Sequence, residues 1–125
     1  MEVFILNIYV AHSNKFNYIE KLYDPIKNAK SLSMHNFFFP HDEVNKLVNT
    51  KEIIKDSDLI IADVSCPSIG LGIELGWADY LKIPILCISE KGLEYSSSLK
   101  FITNNFLEYD NPRNLIEKLE KYLNN

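Results

Sequence analysis

The feature that most constrains the fold is the stretch at residues 58–78, which reads DLIIADVSCPSIGLGIELGWA. Its first part, residues 59–64, is an apolar run broken only by Asp63, and its length predicts a strand buried on both faces. Its last part, residues 71–81, carries apolar residues at helical spacing and predicts a helix. The turn between them is rich in serine, proline and glycine. A strand, such a turn and a helix start form a backbone suited to holding an anion or a sugar.

The rest of the chain repeats this alternation of strand and helix. Further strands are predicted at residues 3–11, 36–39, 83–88 and 106–109. Helices are predicted from about residue 42 to 55, over residues 96–105, and from Pro112 onward with Asn111 as cap. Five strands alternating with helices predict an α/β domain over residues 1–125. Its architecture is a three-layer, doubly wound parallel sheet with the flavodoxin-like order 2-1-3-4-5.

The buried helix faces follow from the same spacing. Pro25 should kink or restart the first helix, because its ring clashes with the preceding turn. In the helix at 42–55, the pair Asn49 and Thr50 is a weak point. The side chains expected to face inward are Phe16, Ile19, Leu22, Tyr23 and Ile26 in the first helix and Val44, Leu47, Val48 and Ile54 in the second. In the third helix, the apolar residues at helical spacing are Ile73, Trp77 and Leu81 on one line, with Leu71, Leu75 and Ala78 beside it.

Composition and charge narrow the class of protein. With 46% hydrophobic and 24% charged residues, the 125-residue chain has the balance of an ordinary globular domain. A net charge of −4 and scattered lysines argue against a nucleic-acid polymer as partner. Two cysteines do not make a disulfide framework. The apolar N-terminal stretch has no basic leader and is too short for a membrane span. We therefore expect a cytoplasmic protein that is not bound to a membrane.

Sheet topology predicts where a site would lie. In the expected strand order, the crevice opens at the carboxyl ends of strands one and three, which brings residues 9–15 opposite residues 63–74. Glu74, expected in the first helical turn, could be there only because the helix macrodipole favours an acid. At the switch point, however, its carboxylate could attack C1 of a sugar and form a covalent glycosyl-enzyme. The dipole would keep it ionised for that role.

Two more side chains of this region have alternative readings. Tyr9 could be a core aromatic residue of its strand, or its hydroxyl could orient the Glu74 carboxylate. Asp63 must find partners inside an apolar strand, because burial of an unpartnered charge is costly. It could act as a general acid, bind a hydroxyl group, or accept hydrogen bonds from the backbone of the next turn.

Other polar residues could hold a phosphate or a metal. Ser13, Lys15, Ser68 and Ser98 could bind a phosphate, although each taken singly is more often a cap or a solvated residue. The histidines and nearby acids are too loosely spaced for a convincing metal site. The Gly-x-Gly pair lacks the full Rossmann spacing, which argues against a dinucleotide. We expect neither metal nor cofactor.

The segment IADVSCPSIGLGIELGWA resembles the signature of the nucleoside 2-deoxyribosyltransferase superfamily, in which a strand precedes PS-x-G-x-G-x-E-L-G. The segment IYVAHS, residues 8–13, is similar to the opening strand of that family. The resemblance implies that Glu74 is the nucleophile on C1′ of a 2-deoxyribosyl group and that Tyr9 orients it. It also implies a small-molecule nucleoside or nucleotide as substrate.

The superfamily contains transferases, which pass deoxyribose to another base, and 2′-deoxynucleoside 5′-monophosphate N-hydrolases, which pass it to water. Serine at position 68 resembles the hydrolase branch, where it helps to hold the 5′-phosphate. The resemblance also implies a homodimer or larger assembly in which Ser98 is donated by a neighbouring subunit. The substrate-binding residues expected on this basis are Ser13, Lys15, His41, Ser68, Gly70, Gly72 and Ser98.

One departure from the family pattern affects the predicted activity. Members usually carry an aspartate for acid/base work on the helix before strand three, where this chain has Thr50. Asp63 could take over protonation of the base, activity could be weak, or the substrate could differ. Two alternative functions are therefore considered besides a glycosidase. One is a nucleotide-binding module that has lost catalysis, and the other is a phosphoribohydrolase that prefers ribonucleotides.

Overall fold

A computed structural model describes residues 4–124. It contains a five-stranded sheet in the order β2-β1-β3-β4-β5, with all neighbouring strands parallel. The predicted class, layers and strand order are confirmed. The strands are β1 (Asn7–His12), β2 (Asn36–Phe38), β3 (Leu59–Asp63), β4 (Ile85–Glu90) and β5 (Asn105–Tyr109). The predicted start of the first strand at Val3 lies outside the described residues.

Four α-helices connect or follow the strands: α1 (Asp24–Asn28), α2 (Thr50–Lys55), α3 (Ile69–Tyr80) and α4 (Pro112–Leu123). The restart expected at Pro25 is confirmed, because a π-helical turn at Ile19–Tyr23 gives way to α1, which has the proline in its first turn. The side chain of Asn111 caps α4 as predicted, accepting a hydrogen bond from the backbone N–H of Asn114 at 2.8 Å.

The two faces of the sheet are covered by different helices. Side chains alternate along each strand, so Ile8 and Val10 pack with α1 and α4, whereas Tyr9 and Ala11 pack with α2 and α3. Both clusters consist of buried apolar residues. The face on which a strand residue lies therefore decides which helix its side chain can reach.

The predicted helix at 42–55 is wrong in its first half. The chain there forms a 3₁₀ turn at Glu43–Asn45, and α2 begins only at Thr50, capped by the side chain of Asn49. Of the four residues expected inward, Ile54 is buried, but Val44 and Leu47 are 87% and 101% exposed. Asparagine favours a cap because its side chain competes for backbone N–H groups, so it starts a new helix here.

Other differences are smaller. The predicted helix at 96–105 is a 3₁₀ helix at Ser97–Phe101. Ile19 is 52% exposed, since the π-helical turn changes the spacing of the face. On α3, the buried line is Leu71, Leu75 and Ala78, whereas Ile73 and Leu81 are exposed. No helix within residues 4–124 is long and apolar enough to cross a membrane.

Candidate active site

A cavity of about 400 Å³ lies at the carboxyl end of the sheet, beside the start of α3. Its volume is within the range of small-molecule sites, roughly 300–1,000 Å³. Its position matches the crevice that the strand order predicts between β1 and β3. The lining residues are His12, Asn14, His41, Thr50, Ser68, Gly70, Leu71, Ile73, Glu74 and Trp77.

Glu74, which lines this cavity, is hydrogen-bonded to Tyr9 behind it. Tyr9 is fully buried on the face of β1 that α3 covers, and its hydroxyl donates to Oε2 of Glu74. Burial, followed by the charge of Glu74, raises the pKa of Tyr9 far above its ordinary value. The hydroxyl therefore stays protonated and acts as a donor to the carboxylate.

The ionisation of Glu74 depends on opposing effects. Burial raises the pKa of Glu74, and the hydrogen bond from Tyr9 and the neighbouring Thr50 hydroxyl act in the opposite direction. Thr50 lines the cavity from the first turn of α2. A half-buried carboxylate flanked by two neutral hydroxyl groups is held ready to bind a cationic or electron-poor centre.

The sequence predicted that Glu74 lies in the first turn of α3, and this prediction is wrong. The α3 helix begins at Ile69, after Ser68, whose Oγ accepts a hydrogen bond from the backbone N–H of Leu71 at 3.3 Å. Glu74 therefore belongs to the second turn. Because the macrodipole acts mainly within the first turn, Tyr9 and Thr50 matter more to the ionisation of Glu74 than the helix end does.

His12 forms part of the cavity wall in a fixed, neutral form. Its Nδ1 lies 2.8 Å from the carbonyl oxygen of Ser13, and its Nε2 lies 2.6 Å from the hydroxyl of Tyr23. A carbonyl oxygen can only accept, so the proton is assigned to Nδ1, and Nε2 accepts from Tyr23. Burial lowers the pKa of His12 to about 4. Both ring nitrogens are thus committed to the protein.

His41 lies against the same wall on the loop before α2. Its ring is edge-on to His12 and Tyr18, with centroid distances of 4.6 and 5.3 Å. Its backbone N–H donates to the hydroxyl of Tyr23 at 3.0 Å. Partial burial lowers the pKa of His41. Within residues 4–124 its ring nitrogens have no hydrogen-bond partner, in contrast to those of His12.

Asp63 does not line this cavity. It is fully buried, accepts a hydrogen bond from the backbone N–H of Ser65 at 2.9 Å, and accepts another from the hydroxyl of Tyr109 at 2.5 Å. Alternation along β3 places it with Ile61, opposite the face covered by α3. Burial raises the pKa of Asp63, although both hydrogen bonds oppose the rise. Of the three roles considered, its geometry fits the buried acceptor.

The remaining residues predicted to bind substrate divide into two groups. His41, Ser68 and Gly70 line the cavity with Glu74. The others do not: Ser13 is buried, with its Oγ accepting from the backbone N–H of Lys15; Lys15 is exposed; and Gly72 and Ser98 line a second, mostly apolar cavity of about 390 Å³ on the other side of Ser68.

Six lining residues were not predicted as site residues: His12, Asn14, Thr50, Leu71, Ile73 and Trp77. His12 ends β1 and Asn14 lies two residues after it. The topology rule that selected residues 9–15 could have predicted both as site residues. Trp77 was assigned only to the apolar face of α3. It lies one helical turn after Glu74 and packs under the Lys51 ammonium, 5.7 Å from the ring centroid.

Possible metal ligands and thiols were located in the described part of the chain. No group of three or more His, Cys, Asp or Glu side chains among residues 4–124 is arranged to hold a metal ion. Cys66 and Cys87 are both free thiols. Burial raises the pKa of Cys87 to about 12, so this thiol is protonated at neutral pH.

Comparison with known sequences gives a local match. No protein-family model matches the chain. Over 51 residues it is 41% identical to a protein of Syntrophotalea carbinolica named "Putative 2'-deoxynucleoside 5'-phosphate N-hydrolase 1". The match covers 41% of this chain and 36% of the relative, so the chain spans about a third of the length of the curated relative it matches.

Comparison with solved structures extends over nearly the whole chain. The structure of the CMP N-glycosidase BcmB of Clostridium botulinum is similar with a TM-score of 0.64 at 24% identity, over 91% of this chain and 98% of that one. A signal receiver domain from Vibrio parahaemolyticus is similar with a TM-score of 0.57 at 18% identity, over 97% and 92%. At these identities the likeness shows the fold alone. The sequence match is therefore local, and the structural likeness shows a fold shared with the BcmB N-glycosidase.

Proposed function

We propose that this protein cleaves the N-glycosidic bond of a 2′-deoxynucleoside or its 5′-monophosphate, with Glu74 as the nucleophile. The observation that carries the proposal is that Glu74, which lines a substrate-sized cavity, accepts a hydrogen bond from Tyr9. The names of the Syntrophotalea and Clostridium relatives, an N-hydrolase and an N-glycosidase, favour this chemistry. The reaction as proposed needs neither metal nor cofactor, because the attacking group is a side chain.

The proposed reaction has two displacements. A carboxylate oxygen of Glu74 attacks C1′ as the bond to the base breaks, and a glycosyl-enzyme forms. Water then attacks C1′ and releases the sugar, or a second base does so in a transferase. Tyr9 holds one carboxyl oxygen in position and, as an uncharged donor, favours the ionised form of Glu74 over the protonated one.

The 5′-phosphate part of the proposal rests on Ser68. Ser68 lines the cavity and its hydroxyl hydrogen is available to an anion, but Lys15 is exposed and is not among the lining residues. We propose that Ser98 completes the site from a second copy of the chain, because in its own chain it lies in the neighbouring apolar cavity. Light scattering of the wild type and of Ser98→Ala, together with their affinity for a monophosphate, tests this assembly.

The experiment that tests the function is incubation with a panel of nucleosides and 5′-monophosphates, in deoxyribo and ribo forms, followed by chromatography for free base. We expect base release from deoxyribo substrates and at least about a 10³-fold loss in Glu74→Gln, because the covalent step is removed. Base release that is unchanged in this variant would contradict the proposal. A preference for ribonucleotides would favour the phosphoribohydrolase.

A second candidate is a nucleotide-binding module without catalysis. Thr50 favours it, because a hydroxyl stands in the cavity where the superfamily usually carries an aspartate. Calorimetry with the same panel separates the two functions. Tight binding without release of base from any compound would support the module.

A further inference from the structure

Cleavage of an N-glycosidic bond leaves electron density on the departing base. A positioned acid that protonates the base as the bond breaks contributes typically about 10²–10⁴-fold to the rate. If Glu74 is the nucleophile, as proposed above, it cannot also supply this proton in the same step. Another group that faces the cavity must therefore do so.

The titratable side chains that line the cavity are Glu74, His12 and His41. His12 is excluded as a donor to a ligand, because its Nδ1 proton is directed to the Ser13 carbonyl and its Nε2 is occupied by Tyr23. Asp63 does not line the cavity, and both of its carboxyl oxygens are hydrogen-bonded within the protein. This leaves His41, whose ring nitrogens have no partner among the described residues.

The placement of the His41 ring suits proton transfer. Its backbone is held by the Tyr23 hydroxyl, and its ring is wedged against His12 and Tyr18. Tyr23 is in turn held by Nε2 of His12, so the chain of contacts runs back to the end of β1. The ring is therefore positioned by the protein while its nitrogens remain available to a bound molecule.

We infer that His41 is the general acid that protonates the leaving base, an inference that rests on the proposed function. In the first step, an oxygen of Glu74 bonds to C1′, the C1′–N bond breaks, and its electron pair accepts the proton of the His41 imidazolium. In the second step, water bonds to C1′ and gives its proton to the His41 imidazole. The C1′–O bond to Glu74 breaks, and its electrons return to the carboxylate. The sum is substrate plus water giving base plus sugar.

The test compares His41→Gln with the wild type on two forms of one substrate from the panel. The first is the natural compound, and the second carries a base that needs less protonation to leave: the 7-methyl form of a purine or the 5-fluoro form of a pyrimidine. We expect kcat of His41→Gln to fall by about 10²–10⁴-fold on the natural compound. On the activated compound, the factor by which kcat falls should be at least about ten times smaller.

A matched control is Glu43→Gln, which changes an exposed side chain two residues away in the same loop. It should turn over both compounds as the wild type does. If His41→Gln lost the same factor in kcat on both compounds, or lost nothing, the assignment of His41 would be overturned. The proposed function would still stand in that case, provided that base release depends on Glu74. A wild type that releases no base from any compound would overturn the proposed function, and the role of His41 with it.

Discussion

The hydroxyl of Tyr9 on β1 donates a hydrogen bond to the carboxylate of Glu74 on α3, although the two residues lie 65 positions apart in the chain. The contact exists because Tyr9 is on the face of the central strand that α3 covers. It gives a half-buried acid an uncharged donor that stays protonated. It also makes the ionisation of Glu74 sensitive to single changes around it.

Tyr9→Phe should impair the reaction and shift its pH dependence. The variant removes a hydrogen bond to a charged group, worth about 1.5–3 kcal/mol, so kcat/KM should fall roughly 10- to 100-fold. Because that bond favours the ionised form, its loss raises the pKa of Glu74. The acid limb of the pH–rate profile should therefore move to higher pH. If the acid limb stays at the same pH in the variant, this hydrogen bond does not control the ionisation of Glu74.

Thr50 should contribute in the same direction but less. Thr50→Val keeps the shape of the side chain and removes the hydroxyl, whereas Thr50→Ser keeps the hydroxyl. Since a neutral hydroxyl typically contributes about 0.5–1.5 kcal/mol, we expect roughly a 2- to 10-fold loss of kcat/KM in Thr50→Val. Steady-state kinetics should place Thr50→Ser close to the wild type. Equal losses in the two variants would point to packing instead.

His12 should make the protein less stable in acid. Its pKa in the fold is about 4 and its ordinary value is 6.5, so between these pH values the unfolded chain binds a proton that the folded one does not. The contribution of neutral His12 to the free energy of unfolding is fully present above about pH 6.5. It falls by at most about 3 kcal/mol as the pH decreases towards 4.

Urea denaturation from pH 7.5 to 4, in the wild type and in His12→Gln, measures this difference. We expect the free energy of unfolding of the wild type to fall more steeply with acid than that of the variant. The difference between the two proteins isolates the histidine, because Asp63 and Glu74 titrate in both. Parallel curves would mean that His12 titrates normally in the folded protein.

Tyr109→Phe should lower stability and leave the chemistry intact. The variant removes the donor to the buried carboxyl group of Asp63, which should cost about 1.5–3 kcal/mol in the free energy of unfolding. Because Asp63 does not line the cavity, kcat/KM of the folded protein should stay within about twofold. Tyr122→Phe, on the surface of α4, is the matched control and should change neither quantity. A large catalytic defect in Tyr109→Phe would return Asp63 to the list of catalytic candidates.

Much of the architecture could be predicted from local pattern. Apolar runs of strand length, the cap at Asn111 and the proline at 25 depend on interactions within a few residues, and the structure has each of them as expected. The helix at 42–55 failed because periodic apolar residues such as Val44 and Leu47 also occur on exposed turns. The exposure of Val44 and Leu47 is seen only in the packed structure.

The sequence by itself determined that the chain is an α/β domain with parallel strands in the order 2-1-3-4-5, and that Tyr9 and Glu74 belong to the edge where a ligand would bind. The tertiary structure alone decided which polar residues share the cavity. It separated Asp63 from Glu74 and brought His12 and His41 together. The physical reason is that a side chain's face depends on the register of its strand and on the helix packed against it. A motif read along the chain contains neither.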